Sequence, residues 1–371
     1  MKKILLIHQG AELYGSDRSL LNVIDATKDK YNIEVWLPNK GELFKEIEKR
    51  GVRIRVKNIS ILRNIDIKRG DFSVFSDFIT NLRSFKIEVE KNDLIFFNTV
   101  VCIDFLVPLK IPKVVYVREI KNRLISFIFS VIFFISNSFL FFNSSSTSFH
   151  YFYRKGKGRV ITNAITDQGS ESITASFNRN QLKLLFIGRI IEWKGLHLLI
   201  ESLRLLKESN ENLNFTLNIV GDIYEGYDAY LKDIKQQIEQ SGLKENVNFE
   251  GFITNPKSEF LKSDIVIVPS EEPEPFGRVA VEAMMFKKIV VVADHGGLGE
   301  IVDDQINGFK FEPGSAISLK ETLHKIISGK YDLNKIAESA RLKYLNKFST
   351  GIYKERITKS ISSIIMNNSI D

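Results

Sequence analysis

At 371 residues the chain is too long for one ordinary hydrophobic core and suits two. Its 44% hydrophobic and 26% charged content is ordinary for globular proteins and excludes a disordered or fibrous chain, and its single cysteine, Cys102, excludes an internal disulfide and fits a reducing compartment. The net charge of +7 is unevenly shared: residues 1–180 hold 28 Lys+Arg against 18 Asp+Glu, and residues 181–371 hold 24 against 27. That imbalance predicts an anionic partner for the first half, a lipid surface or a phosphate-bearing substrate, with a merely solvated basic surface as the plain alternative.

In chain order, the opening Met-Lys-Lys-Ile-Leu-Leu-Ile-His is too short an apolar run for a signal peptide and reads as a first strand. Strands are predicted at 3–8, 33–37, 52–56, 94–97, 113–117, 139–142 and 159–161, with helices at 16–27, 42–50 and 72–89 among those between them. The loop after the first strand carries Gly15, which lets backbone approach a ligand, and Ser16 or Asp17 to cap the next helix. A helix N-terminus there suits an anionic oxygen, although a tight capped turn explains the same residues.

Lys49, Arg50, Arg53, Arg55, Lys57, Arg63, Lys68 and Arg69 put eight cations among apolar residues within 21 positions. This segment is expected to dock on anionic lipid with the Phe-rich helix further along the chain assisting, unless it is an edge strand guarded by charge. The uncharged run 124–142 is about the length of a membrane span but is interrupted at Ser136-Asn-Ser138. It reads as a helix, a break and a buried strand. A core helix is the leading expectation, and a helix dipping into a membrane surface comes second.

The stretch 166–180 is polar, lacks periodicity and reads as a linker. A second alternating series follows, with strands at 182–187, 215–220, 247–250, 265–268, 289–292 and 308–311, and a helical pattern from Ile317 onward. Alternation of this kind predicts an α/β fold of parallel sheets flanked by helices. Gly188 ends a strand, and Arg189 and Lys194 follow it, two cations able to hold a diphosphate. Glu274-Pro-Phe-Gly-Arg-Val-Ala-Val-Glu282 then spaces two carboxylates eight positions apart around a loop-to-helix junction, where open α/β sheets bind ligands. Spaced carboxylates supply acceptors for the hydroxyls of a sugar or ribose. Neither an Asp-x-Asp pair nor metal-ligand spacing among the five histidines is present, so no metal and no cofactor is expected.

With these pieces in hand, the chain resembles the retaining GT-B-fold glycosyltransferases of the glycosyltransferase 4 family over nearly its whole length. The likeness runs through Gly10 to Leu20, Val160-Ile-Thr-Asn163, Gly188-Arg189 with Lys194-Gly195, Glu274 through Met284, and His295-Gly-Gly-Leu-Gly-Glu-Ile-Val302 with Asn307-Gly308. The resemblance implies two Rossmann-like domains facing each other across a cleft. They are expected at 1–165 on the acceptor and membrane side and at 182–345 on the nucleotide-sugar side, joined by a linker at 166–181. Residues 346–371 would form a helix bracing the first domain.

It implies roles as well. Glu274 would bind donor-sugar hydroxyls near the reacting carbon and Glu282 the ribose, while Arg189 and Lys194 would hold the leaving diphosphate. Phe276, Gly277, Arg278 and Val279 would enclose the donor, Phe252 and Ile253 would lie near the base, and Gly15 would approach from the other domain. Where relatives carry a His-containing pair, this chain has Arg118-Glu119. Arg118 could bind an acceptor phosphate and Glu119 take a hydroxyl proton, unless the two are a surface ion pair. The usual Gly-x-Pro before the strand at 289 is replaced by Phe286-Lys-Lys-Ile289.

The implied activity is transfer of a sugar from a UDP- or GDP-sugar to a lipid diphosphate-linked saccharide in polysaccharide assembly. The enzyme would be cytoplasmic, peripheral on the inner face of the membrane, with Arg53, Arg55, Lys57 and Arg63 toward lipid. Another GT-B enzyme such as a nucleotide-sugar epimerase is the alternative. A nucleic-acid partner finds no motif and no stacking aromatics among the basic residues. Glu274→Ala is expected to cut turnover by orders of magnitude and spare the fold.

Overall fold

The computed structural model describes residues 1–13, 15–62, 73–169, 177–178, 181–210, 213–223 and 226–367. The chain divides into two compact units: Met1–Ala164 with Thr350–Asp371, and Ile165–Ser349. Arg63, Lys68, Arg69 and most of the stretch read as a linker lie outside the described residues.

The first unit runs β1 (Lys3–Ile7), α1 (Gly15–Thr27), β2 (Asn32–Leu37), α2 (Glu42–Glu48), β3 (Arg53–Val56), α3 (Ser73–Val89), β4 (Leu94–Phe97), β5 (Lys113–Val117), α4 (Arg123–Ser136), β6 (Phe139–Phe142), α5 (Ser145–Phe149) and β7 (Gly158–Val160). These seven strands form one sheet in the order β3-β2-β1-β4-β5-β6-β7, every pair parallel. Side chains alternate between two buried faces, as a parallel sheet covered on both sides requires. Ile4, Leu6, Val35, Phe96 and Tyr116 face one core with α1, and Leu5, Ile7, Phe97, Val115 and Phe142 face another with Phe85, Phe105 and Phe133. The last helix of the chain, Thr350–Asn367, contributes Tyr353, Ile357, Ile361 and Ile364 to the first of these cores.

A short turn, Ile103–Leu106, packs under the sheet and carries a buried carboxylate. Burial pushes Asp104 up to about 6, although it accepts from the Ser60 amide at 2.8 Å and the Ser60 hydroxyl at 3.0 Å. Nearby Lys113 is pushed down to about 8 by burial, its Nζ donating to the carbonyls of Phe105 and Val107 at 2.9 Å each.

The second unit runs β8 (Leu182–Ile187), α6 (Leu196–Ser209), β9 (Phe215–Val220), α7 (Asp228–Gln240), β10 (Val247–Gly251), α8 (Lys257–Lys262), β11 (Ile265–Val268), α9 (Arg278–Met285), β12 (Ile289–Ala293), α10 (Gly296–Ile301), β13 (Phe309–Phe311), α11 (Ala316–Ile327) and α12 (Leu333–Lys347). Its sheet is also parallel, in the order β10-β9-β8-β11-β12-β13. Helices again cover both faces. Leu199, Ile234 and Leu323 lie on one side, and Val281, Met284 and Tyr344 on the other.

The strands predicted from apolar runs are all present, most within a residue of the predicted ends. At Phe286-Lys-Lys, where the resemblance implies Gly-x-Pro, Phe286 stacks on Phe260 at 5.3 Å and Lys287 takes φ 54°. The uncharged run does fold as helix, break and buried strand. Asn122 caps α4 by accepting from the Ile125 amide at 2.9 Å, and Asn137, left-handed at φ 52°, ends it. The leading expectation of a core helix fails, because most of the apolar side chains of α4 face outward. Among the described residues no helix is long and apolar enough to cross a membrane.

Candidate functional site

In an open parallel sheet the natural crevice lies outside the carboxyl ends of the strands where the strand order reverses. In the second unit that point is between β8 and β11, which pair at Leu184–Ile265 and Leu185–Val266. The loops leaving these two strands are fastened together. Glu271 donates its amide to the Trp193 carbonyl at 2.8 Å. Gly195, at φ 71°, sits so close that an added Cβ would lie 2.0 Å from the Pro269 carbonyl oxygen. Only glycine fits there, for both conformation and space.

That fastening brings Lys194 and Glu274 into contact. Lys194 Nζ donates to Glu274 Oε1 at 2.6 Å, and the fully buried Ser270 donates to the same oxygen at 2.5 Å. Both charged side chains are largely shielded from water, at 17% and 11% exposure, so the pair is electrostatically strong and costly to break. An ammonium has three donors and a carboxylate about four acceptor positions. Both groups therefore keep hydrogen-bonding capacity after meeting each other. Arg189 is exposed on the same β8 loop, and Lys194 also lies 4.3 Å from the centre of the Trp193 ring.

Gly277 opens α9 at φ 96°, and an added Cβ would meet Leu298 Cδ2 at 2.5 Å. Half-buried Glu282, one turn further on, accepts from Arg278 Nε at 2.8 Å. Val279 packs against the core beneath. Phe276, expected to help enclose a donor, turns its ring inward instead, 6% exposed and edge-on to Phe348 at 5.9 Å. A large aromatic gains more from the core than from a crevice rim, so backbone is what this residue presents to the site. Phe252 is exposed past the end of β10, and Ile253 is half-buried against the core.

Sequence reasoning missed two residues here. Ser270 is one. The other is His295, which leads into α10, where both ring nitrogens are buried without a partner among the described residues. Its loop is tied to the Glu274 loop by the Gly297 amide, which donates to the Glu274 carbonyl at 2.7 Å. No cluster of three or more His, Cys, Asp or Glu residues suited to a metal occurs among the described residues.

The first unit reverses its strand order between β1 and β4, and a polar cluster fills that point. Fully buried His8 has Nδ1 3.1 Å from Asn98 Nδ2, which directs its Nε2 proton at Asp17 Oδ1, 2.5 Å away. Asp17, which with Ser16 was one of the two candidate caps of α1, turns Oδ1 to His8. Arg118, at the end of β5, donates Nε to the Asn98 carbonyl at 3.2 Å, Nη2 to Asn98 Oδ1 at 3.0 Å and Nη1 to Asn163 Oδ1 at 2.5 Å. Its guanidinium lies 3.5 Å from the centre of the Tyr116 ring. Arg118 and Glu119 are thus not a surface ion pair: Glu119 binds Lys121 instead. Gly15 is exposed at the start of α1, and an added Cβ would meet nothing within 4 Å, so nothing in the chain itself demands glycine there.

Residues 170–343 match the family described as Glycosyl transferases group 1. The second unit is a group 1 glycosyl transferase domain. Among the relatives of this chain, the lipopolysaccharide 1,2-N-acetylglucosaminetransferase of Salmonella typhimurium is 33% identical over 172 residues, 45% of this chain and 44% of that protein. The amylovoran biosynthesis glycosyltransferase AmsK of Erwinia amylovora is 25% identical over 192 residues, 49% of this chain and 45% of that one. The chain therefore spans less than half the length of these curated relatives. Among solved structures, Anabaena HepE in complex with UDP matches with a TM-score of 0.81 at 24% identity, over 98% of this chain and all of that one. A glycosyltransferase from Rickettsia africae matches at 0.79 and 21%, over 99% of each. At such identities the likeness speaks to the fold, two parallel-sheet Rossmann-like domains of the GT-B class.

Proposed function

We propose that this group 1 protein is a retaining glycosyltransferase. It takes a sugar from a nucleoside diphosphate sugar and delivers it to a saccharide acceptor, a lipid diphosphate-linked oligosaccharide of surface-polysaccharide assembly, at the cytoplasmic membrane face. The observation that carries the reading is the Lys194–Glu274–Ser270 contact at the β8–β11 crevice, where cation and carboxylate are positioned for each other with capacity to spare. Support for the donor class comes from Anabaena HepE, crystallised with UDP and with UDP-glucose, which makes a UDP-sugar the first donor to try and a GDP-sugar the second. Support for the acceptor class comes from the lipopolysaccharide and amylovoran names of the relatives.

In this reading Lys194 and Arg189 supply the counter-charge for the departing diphosphate, in place of a divalent ion. Glycosyl transfer develops positive charge on the sugar and negative charge on the leaving oxygen, and preorganised cations at the latter lower the barrier directly. Glu274 accepts sugar hydroxyls and lies by the reacting carbon, and Glu282 accepts ribose hydroxyls. The departing phosphate oxygen takes the acceptor proton on the same face, which accounts for retention without a protein nucleophile. In the first unit Arg118, aimed by Asn98 and Asn163, holds an acceptor phosphate.

The test is incubation of the chain with UDP-glucose and with GDP-mannose beside a lipid diphosphate saccharide, with and without EDTA. Release of nucleoside diphosphate with an α-linked product, undiminished by EDTA, is the expected result. Interconversion of the donor sugar alone means an epimerase, and loss of turnover with EDTA removes the assigned role of the two cations.

A further inference from the structure

Helix α4 is turned inside out relative to a helix of a soluble core. Leu124, Phe127, Ile128, Val131, Phe134 and Ile135 recur at the spacing of one helical stripe, and all six face solvent, between 36% and 74% exposed. The opposite stripe, which packs on the sheet, holds Ser126 and Ser130 with Phe133. These serines are buried and occupied: Ser130 Oγ donates to the Ser126 carbonyl at 2.7 Å and accepts from the Phe152 amide at 3.0 Å. Phe152, itself exposed, continues the apolar surface by contacting Phe127 at 5.7 Å between ring centres. A contiguous exposed apolar surface of this kind points to an interaction site.

The charges around it say what covers it. Residues 120–166 contain six Lys or Arg and no Asp or Glu. Exposed Arg123 begins the helix, and Arg154 lies 4.7 Å from the centre of the Phe134 ring, at the edge of the stripe, with exposed Lys155 beside it in sequence. An apolar stripe whose own stretch of chain carries cations and no carboxylate matches the boundary between anionic headgroups and acyl chains. The helix has 14 residues, about 21 Å at the usual rise, so it is too short to cross a bilayer core and suits lying along its surface.

The strand first expected to meet lipid is built differently. Arg53 and Arg55 both reach Glu34, at 3.3 and 3.2 Å, and Arg55 and Lys57 reach Glu88 at 2.7 and 2.8 Å. Its cations already have carboxylate partners. We propose that the outward face of α4, with Arg123, Arg154 and Lys155, docks the protein on an anionic bilayer surface, and that β3 does not. The proposal stands on this helix alone and survives or fails independently of the transfer reaction.

The experiment is flotation of the full chain with phosphatidylcholine vesicles, with and without phosphatidylglycerol. The chain should float with the anionic vesicles only. Phe127→Ser with Ile135→Ser should cut the floated fraction by on the order of tenfold, because two apolar anchors are lost. Arg154→Ser with Lys155→Ser should weaken flotation less and make it less sensitive to salt, and Arg53→Ser with Arg55→Ser should leave it unchanged. Ile128→Trp should shift its emission to the blue on anionic vesicles. Equal flotation by the Phe127/Ile135 variant, melting as the parent does, overturns the proposal. So does a chain that ignores vesicles but sediments as a dimer, which that variant renders monomeric. Sugar transfer to a water-soluble acceptor is measured in parallel, so a failure of the transfer reading appears separately.

Discussion

The two sheets reverse their strand order in the same way, yet the two reversal points are finished differently. In the second unit a Lys194–Glu274 pair stands at the crevice with donors and acceptors left over. In the first, His8, Asp17, Asn98, Arg118 and Asn163 bond mainly to one another, and three of the five guanidinium N–H groups are already committed. A site that must grip a ligand keeps spare capacity on both charge signs. A site that aims one cation commits the surrounding groups to holding it. The group 1 match falls on the unit with the open arrangement.

The largest effect should come from the second unit. Glu274→Gln and Lys194→Met should each lower turnover by about 10²- to 10³-fold, the scale of losing one preorganised electrostatic group. The double variant should lose little more than either single one, because the two act as a unit. Multiplying losses would mean the residues work separately. Glu274→Ala is the poorer probe, contrary to the expectation that it spares the fold. It leaves a shielded ammonium unpartnered and should destabilise the unit by about 3 kcal/mol, read by denaturant melting.

In the first unit Asn98→Ala should release Arg118 and raise the acceptor KM about tenfold, roughly the value of one charge-assisted hydrogen bond. The thermal shift caused by UDP should not change, and a loss of that shift would mean that the two reversal points share one ligand.

A smaller effect separates the units by pH. Asp104 has a folded value raised to about 6, so its contribution to stability is complete below the ordinary carboxylate range and is lost as pH rises through about 6. Going from pH 7 to pH 5 should therefore recover about 1 kcal/mol in the first unit. Asp104→Asn should abolish that gain. A gain that persists in the variant assigns it to another group.

The smallest effect should be that of Arg278→Gln. It removes a half-buried i,i+4 pair from α9 and should change stability by about 0.5 kcal/mol or less. Glu282→Ala should instead weaken donor binding clearly. Similar losses from the two would make Glu282 a helix residue and not a ligand residue.

The parallel architecture was legible because apolar runs such as Ile265–Val268 and Ile289–Ala293 are buried on both faces and carry their own signal. Of the candidate site, only the placement was legible: Arg189, Lys194, Glu274 and Glu282 stand at the loop and helix positions that strand ends predict. What could not be read were contacts made across long separations. Asn98 meets His8 from 90 residues away, and Ser270 meets Glu274 only because of how the loop folds back. The neutralisation of β3 follows from a register that pairs Glu34 with Arg53, which no local pattern announces. The outward stripe of α4 did leave a trace: Ser126 and Ser130, one turn apart, marked the face toward the sheet.

The ends of the first unit lie far apart along the chain, with the whole second unit inserted between Ala164 and Thr350. Ile165 takes a hydrogen bond partner in Phe348, its amide donating at 3.0 Å, so the chain enters and leaves the insert side by side. On a ribosome, the portion preceding the insert must therefore wait for Ile357, Ile361 and Ile364 before its interior can close, while the insert can mature first. A released chain truncated near residue 349 should carry a protease-resistant insert behind an unfinished first unit.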